Sequence, residues 1–431
     1  MARGLVVLDS ELRPRIALLA LLCLAPSGAS AQRYALVNGR WFDGRGFQAR
    51  TVYVDGGVFV ARRPSAVDST IDLAGAYVVP PFGEAHNHNI EGAPPATVKA
   101  YLDAGIFYVK DPCSFPEAKT ESVGKLNVPT SVDAIFSLGC LTGPGGHPSG
   151  LVRRNIARGV FKPNDGDGRF MHAIVDSADF ERRWPGIVAA KPDFIKTILV
   201  YSEEHAKRSA DSAYFNWHGL DPALLPLVVR RAHKAGLRVS SHIESSADFH
   251  AALTAGVDEI NHMPGFRPEG DSIGAFRGDL ARYEITPADA RLAAKRKVVV
   301  VTTLGEAIDY LAKGDSSGLD SASRAMVRDL YRRNLRLLRS NGVRVVLGSD
   351  RFRANTVSEA FALRTLGVFT NRELLSMWSV ATPQAIFPAR HIGCLKAGCE
   401  ASFVALSGNP LADFENVRRI TGRMKQGVLV P

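Results

Sequence analysis

The chain has 431 residues, 46% of them apolar and 22% charged, with a formal net charge of +10. That balance excludes a disordered or low-complexity chain and leaves room for one large domain plus a smaller one. The basic residues are scattered in pairs (Arg153-Arg154, Arg182-Arg183, Arg230-Arg231, Arg332-Arg333) without interleaved aromatics, so a solvated surface is expected and no nucleic-acid partner.

Residues 1–31 read as a secretory signal: Arg3, Arg13 and Arg15 precede the apolar run Ile16 to Ala25, and Ala29-Ser-Ala31 offers a small-x-small cleavage site. The run is too short to span a bilayer, so an exported protein, periplasmic or secreted, is expected, with no transmembrane span after cleavage. Export makes disulfides chemically allowed. Cys394 and Cys399 flank a turn, Cys113 and Cys140 remain, and small buried thiols are the alternative for all four.

Residues 32–80 hold short strand-like pieces, Tyr34–Val37, Val52–Val54, Val58–Val60 and Tyr77–Val79, between Gly and Asp turns. From there strand-like runs alternate with helices whose starts are marked by Asp221-Pro222, Thr286-Pro287 and the capping-box pattern Thr356-x-x-Glu359. Eight runs ending near His88, Lys110, Gly139, Val200, His242, His262, Thr303 and Ser349 predict an α/β fold, a (β/α)8 TIM-like barrel over 81–388. After Ile386 the runs Ala401–Leu406 and Gly427–Val430 return to strand, so 389–431 is expected to pair with 32–80 in a small composite β-sandwich domain from both chain ends. The long connection from Thr142 to about Phe170 should lie over the barrel mouth, and His147 within it is a candidate substrate contact, the alternative being an exposed loop histidine.

His86 and His88 close an apolar run. Residues i and i+2 of a strand share a face, so a strand ending in His-x-His aims two imidazoles at one point. Lys196, His242, His262 and Asp350 each end or interrupt a further β-branched segment, and in a parallel barrel the carboxyl ends of strands converge on one rim. A lysine inside an apolar strand is costly unless paired or modified, two core histidines at strand ends by accident is a poor alternative, and Asp350 taken alone could be a helix cap.

The ordered set His86-x-His88, Lys196, His242, His262 and Asp350 resembles the amidohydrolase superfamily in its carboxylated-lysine form. The stretches Asp193-Phe-Ile-Lys196 and Gly256-Val-Asp-Glu-Ile-Asn-His262 are most similar to its imidazolonepropionase, prolidase and ochratoxinase branch. The resemblance implies two divalent metal ions; nitrogen and oxygen donors without thiolate suit zinc best, with manganese, iron or cobalt as alternatives. It gives one ion to His86, His88 and Asp350 and the other to His242 and His262, bridged by a CO2-derived carbamate on Lys196. It also implies a hydroxide shared by the metals as nucleophile, with Asp350 as catalytic proton shuttle. Tyr201, at the end of the lysine segment, and Arg351 and Arg353, just after Asp350, join His147 as expected substrate-binding residues. A guanidinium there could grip a substrate carboxylate, or could equally be a surface residue or pair with an acid. Glu84 stands where the family usually has aspartate, Cys399-Glu-Ala-Ser402 replaces a common Ala-Asp pair, and Thr197–Tyr201 lacks the usual glycines, which weakens transfer of substrate specificity.

The expected activity is hydrolysis of an amide-like C–N bond in a small molecule such as an N-acyl amino acid, dipeptide or cyclic amide. A lactonase or esterase on the same site, or a catalytically silent binding protein, is the alternative; a binding role would place no demand on six candidate ligands. A homo-oligomer is left open.

Overall fold

The computed structural model describes residues 32–266 and 279–431. The expected signal segment 1–31 lies outside the described residues. Among them, no helix is long and apolar enough to cross a membrane.

The chain opens with Tyr34–Phe42 (β1), Phe47–Asp55 (β2), Val58–Val60 (β3), Ser69–Asp72 (β4) and Tyr77–Val79 (β5). It closes with Phe403–Leu406 (β16), Ile420–Lys425 (β17) and Val428–Leu429 (β18). These eight strands form one sheet in the order β18-β17-β16-β5-β1-β2-β3, with β4 on β1, so both chain ends contribute to it as expected. The polar strands β4 (Ser-Thr-Ile-Asp) and β17 (Ile-Thr-Gly-Arg-Met-Lys) carry too little apolar alternation to be read from sequence.

Between the ends, every strand pair is parallel. Phe82–Glu84 (β6), Ile106–Asp111 (β7) and Asp133–Phe136 (β8) make one sheet. Leu141–Thr142 (β9), His172–Ala173 (β10), Ile195–Ile198 (β11), Val239–His242 (β12), Glu259–Asn261 (β13), Val299–Val301 (β14) and Arg344–Val346 (β15) make another. Ala85 N–H donates to Leu347 O (2.9 Å) and Asp350 N–H to His86 O (2.8 Å), joining the two sheets along β6 and β15. At the opposite margin the backbone turns through left-handed conformations at Leu138 (φ 53°) and Gly139 (φ 101°). There, Asp193 N–H to Phe136 O (2.9 Å) stands in place of a ladder. The expected parallel α/β architecture is present, but as two sheets and not as one continuous closed ladder.

Helix Ser321–Ser340 shows why these elements pack as they do: Val327, Leu330, Tyr331, Asn334, Leu335 and Leu338 are buried at a spacing of three and four, with Arg333, Arg336 and Arg339 exposed on the outer face. Thr286 caps the helix Pro287–Arg296 as expected, its Oγ1 accepting from Asp289 N–H (3.0 Å). Asp221 instead accepts from Ala223 N–H (2.9 Å), and that helix begins at Leu225. The Thr356-x-x-Glu359 box is not formed. Asn355 caps the helix Thr356–Thr365, the Thr356 hydroxyl donates to Gly83 O (3.0 Å), and Glu359 turns into the core. The 142–170 connection is not a bare loop: it contains the helix Ser149–Ala157.

In its buried position Glu359 accepts from Leu304 N–H (2.9 Å) and Gly305 N–H (2.5 Å) as well as from Thr302. Burial nonetheless pushes its pKa up from 4.5 to about 7. In the unfolded chain the carboxyl ionises near 4.5, whereas the folded protein keeps the proton to about 7. Its contribution to stability is therefore complete below pH 4.5 and is lost as pH rises through 7. Glu359→Gln is expected to flatten the fall in stability across that window by up to about 3 kcal/mol. Denaturant midpoints measured at intervals between those limits check this; parallel profiles for the two proteins would contradict it.

Candidate active site

The carboxyl ends of the parallel strands carry an unusual backbone signature. Cys113 (φ 59°), Leu138 (φ 53°), Tyr201 (φ 52°), His262 (φ 80°), Thr303 (φ 49°) and Asp350 (φ 46°) all adopt left-handed conformations within a few residues of the ends of β7, β8, β11, β13, β14 and β15. Such strain in non-glycine residues persists only where the surroundings over-determine it, and it gathers at functional sites.

The strand β6 ends at Glu84, so His86 and His88 stand just beyond it and not on it as expected. The extended pairing continues alternately to either side. Ala85 N–H and His86 O bond toward β15, and Asn87 N–H donates to Lys110 O of β7 (3.1 Å), so alternate side chains still share a face. The two imidazole centroids lie 5.2 Å apart. A Cβ at Gly348 would come within 2.8 Å of His86 Cβ, so glycine is what lets the end of β15 approach this closely.

Three ends deliver one cluster. Donor atoms of His86, His262 and Asp350 all lie within 4.8 Å of one another. Asp350 Oδ1 is 3.2 Å from His88 Nε2 and 3.5 Å from His86 Nε2, and its Oδ2 is 3.8 Å from His262 Nδ1. The His242 ring packs edge-on against His262 at 4.4 Å, and His147 stacks on His242 at 5.0 Å, bringing the 142–170 connection to the site. Lys196, in the middle of β11 and buried, is tied to the cluster through Asn261, to whose Oδ1 its Nζ donates. Five of the six expected ligands are thus in mutual contact, and the sixth is joined to them through the residue preceding His262.

Electrostatics suit cation binding. Burial drives the His86 pKa well below its ordinary value, leaving a neutral imidazole with lone pairs to give, and its buried Nδ1 has no hydrogen-bond partner among the described residues. Burial opposes ionisation of Asp350, but His86, His88 and Lys196 outweigh it and hold the carboxylate well below its usual range. Burial, followed by the nearby Lys110 charge, pushes Lys196 down to about 7. An amine of that kind is neutral in a substantial fraction near pH 7 and is therefore nucleophilic toward CO2. Imidazole nitrogens gathered around an ionised carboxylate, with no thiolate, fit a borderline divalent cation such as zinc. At His88 burial is outweighed by the hydrogen bond to and charge of Asp350, which raise the pKa, so a cation there would displace a proton that the carboxylate favours.

Several contributors lie outside the set of site residues expected from the sequence. His262 Nδ1 lies 2.7 Å from Thr303 Oγ1, and His242 Nε2 lies 3.1 Å from Glu244 Oε1, contacts that fix ring orientation. Phe266 stacks on His262 at 3.9 Å. Asp111 lies 3.8 Å from His88, and burial raises it to about 8. Glu84 accepts from Ser349 N–H and Oγ–H (both 2.8 Å), tying β6 to β15 below the cluster. Beside Lys196, the single Ser240 hydroxyl proton has two acceptors in reach, Glu259 Oε1 (2.9 Å) and Asn261 Oδ1 (2.8 Å), and Glu259 pairs with Lys110 at 2.5 Å. Polar residues inside short strands, such as Glu259 and Ser240, were the available signal.

Of the remaining expected substrate contacts, Tyr201 is buried, its hydroxyl 3.2 Å from that of Tyr283 and its ring beneath the guanidinium groups of Arg208 (4.1 Å) and Arg282 (4.7 Å). Arg351 pairs with Asp309 at 2.6 Å, whereas Arg353 is exposed. Between them Phe352, 67% exposed, stands with its ring 6.2 Å from His88. Cys113–Cys140 and Cys394–Cys399 are both disulfides, the first set in the turns after β7 and before β9.

Residues 209–430 match the model of the amidohydrolase family. No curated protein matches the chain in sequence. Among solved structures, Aspergillus niger ochratoxinase is similar with a TM-score of 0.68 at 18% identity, covering 92% of this chain and 95% of that one. A Xaa-Pro dipeptidase with methionine bound in its active site gives 0.68 at 16% identity over 92% and 99%. A prolidase complexed with N-methylphosphonate-L-proline gives 0.65 at 20% over 93% and 99%. At these identities the likeness establishes the fold, which runs through nearly the whole described chain.

Proposed function

The chain belongs to the amidohydrolase family and is a hydrolase acting on carbon–nitrogen bonds, and on that premise we propose that it uses two divalent metal ions to cleave an amide-like bond in a small molecule. The substrate class is an N-acyl amino acid, dipeptide or cyclic amide. The observation that carries this reading is the meeting of His86, His262 and Asp350, from three separate strand ends, with donor atoms within 4.8 Å. His86, His88 and Asp350 would hold one ion and His242 and His262 the other, with a carbamate on Lys196 serving both.

Divalent ions held by these residues would lower the pKa of coordinated water toward neutrality and so supply the nucleophile. The protein's own part is orientation and proton handling. Thr303 and Glu244 hold the rings of His262 and His242, and Asp350, ionised at neutral pH, receives a proton and passes it to the departing amine. His147, Arg351 and Arg353 would meet the substrate at the rim.

The accompanying architecture is an exported protein whose leader, 1–31, is removed. Its barrel spans 81–388, and its two ends, 32–80 and 389–431, build a β-sandwich. Two disulfides support an oxidising compartment, and the mixed sheet shared by both ends supports the terminal unit.

The test is turnover by metal-loaded protein of dipeptides, N-acyl amino acids, cyclic ureas and lactones, each with and without a chelator. Chelator-sensitive release of an amine from at least one nitrogen-containing class is expected. Turnover confined to lactones would favour the esterase reading, and no turnover with stoichiometric binding the silent one.

A further inference from the structure

A cavity of about 450 Å³ opens on the outer face of the α/β assembly, between helices Gly305–Ala312, Ser321–Ser340 and Thr356–Thr365. None of the candidate metal ligands lines it. Its volume falls within the range of small-molecule sites. Its floor is apolar, from Ile308, Phe361 and Leu366, and three arginines stand around it, Arg328, Arg332 and Arg418.

The arginines are incompletely answered. Arg328 and Arg332, four apart on one helix, project from the same flank of Ser321–Ser340. Arg328 is half-buried and has no carboxylate partner among the described residues; its one hydrogen bond is to Leu311 O, at 3.5 Å. Arg332 spends Nε on Leu366 O (3.0 Å) and Nη1 on Asp329 (3.1 Å). Arg418 lies over the Phe361 ring at 3.8 Å, with Glu415 at 3.6 Å. The acid in the cavity wall, Asp309, is already committed to Arg351 at 2.6 Å. Like charges gathered over an apolar floor attract an anion that carries an apolar body, and a guanidinium can hold it through two parallel hydrogen bonds.

We infer that this cavity is a second ligand site, for a small organic anion: a carboxylate, sulfonate or phosphate on an aromatic or alkyl body. The site stands independently of the hydrolytic reading. Its wall nonetheless reaches the active-site rim, because Asp309 holds Arg351, whose carbonyl accepts from the side-chain amides of Asn87 (3.2 Å) and Asn89 (3.0 Å) beside the His-x-His pair.

The test uses 4-bromobenzenesulfonate, whose sulfonate is a poor ligand for divalent ions and whose bromine is located by anomalous scattering. With full-length, metal-loaded protein, bromine is expected in this cavity, and calorimetry is expected to show saturable binding. Arg328→Gln should weaken binding at least tenfold. Asp309→Asn, which removes a like charge from the wall, should tighten it. Arg336→Gln, on the same helix but outside the lining, should leave it unchanged. Absence of bromine from the cavity, equal binding by Arg328→Gln, or equal losses in Arg328→Gln and Arg336→Gln would overturn the proposal; the last would mean that diffuse surface charge alone attracts the anion.

Discussion

Lys196→Ala is expected to lower kcat by about 10³-fold or more, equivalent to some 4 kcal/mol of lost transition-state stabilisation, while the protein stays folded. The side chain lies at the centre of a fully buried strand, and an unmodified ammonium there has no lone pair to offer a cation. Its depressed pKa, about 7, makes the free amine available for carbamate formation, and Asn261 holds the nitrogen one residue before His262. Lys196→Met preserves most of the volume and separates two roles. If Lys196 serves only to fill space in the core, the methionine variant keeps its activity. If it supplies the bridging carboxylate, both variants lose turnover, and acetate or propionate restores part of the activity of the alanine variant, where space is left. Steady-state kinetics with and without the acids distinguish these outcomes.

Asp350→Asn is expected to cost about 10²–10⁴ in kcat, the range for removal of a positioned acid-base group. Size and shape are kept, and the backbone anchor is untouched, since it is the Asp350 N–H that donates to His86 O at 2.8 Å. What is lost is the ionised carboxylate that faces His86, His88 and His262. Circular dichroism and the melting temperature are expected to stay near those of the unsubstituted protein. Near-full activity in the asparagine variant would show that Asp350 does not carry the proton.

Much of this site could be read from the sequence because its physical requirements are local. A parallel strand that is apolar along most of its length and carries His, Lys or Asp within it or just beyond its end has few structural reasons to do so, and five such runs in order define a rim. The pairing of both chain ends was legible for the same reason: β1, β2, β5 and β16 alternate or run apolar. Features set by tertiary context were not. Whether β8 continues into a closed ladder depends on backbone turns at Leu138 and Gly139. Glu359 matches a capping box in spacing, yet it is drawn inward by the amides of Leu304 and Gly305, more than fifty residues away. The orienting partners Thr303 and Glu244 are ordinary residues in sequence, and only the approach of neighbouring strands gives them a role. Arg351 shows the limit for substrate recognition: its place after Asp350 was visible, whereas its pairing with Asp309 required the fold.

The most direct test of the central claim is the metal and lysine content of one preparation. Protein made with added zinc and bicarbonate is analysed for metal by elemental analysis, and the Lys196 side chain is examined in a crystal of the same material. The account predicts close to two ions per chain and a carbamate on Lys196, both lost together with activity on chelation. Fewer than one ion per chain beside an unmodified lysine, in protein that still turns over substrate, would contradict it.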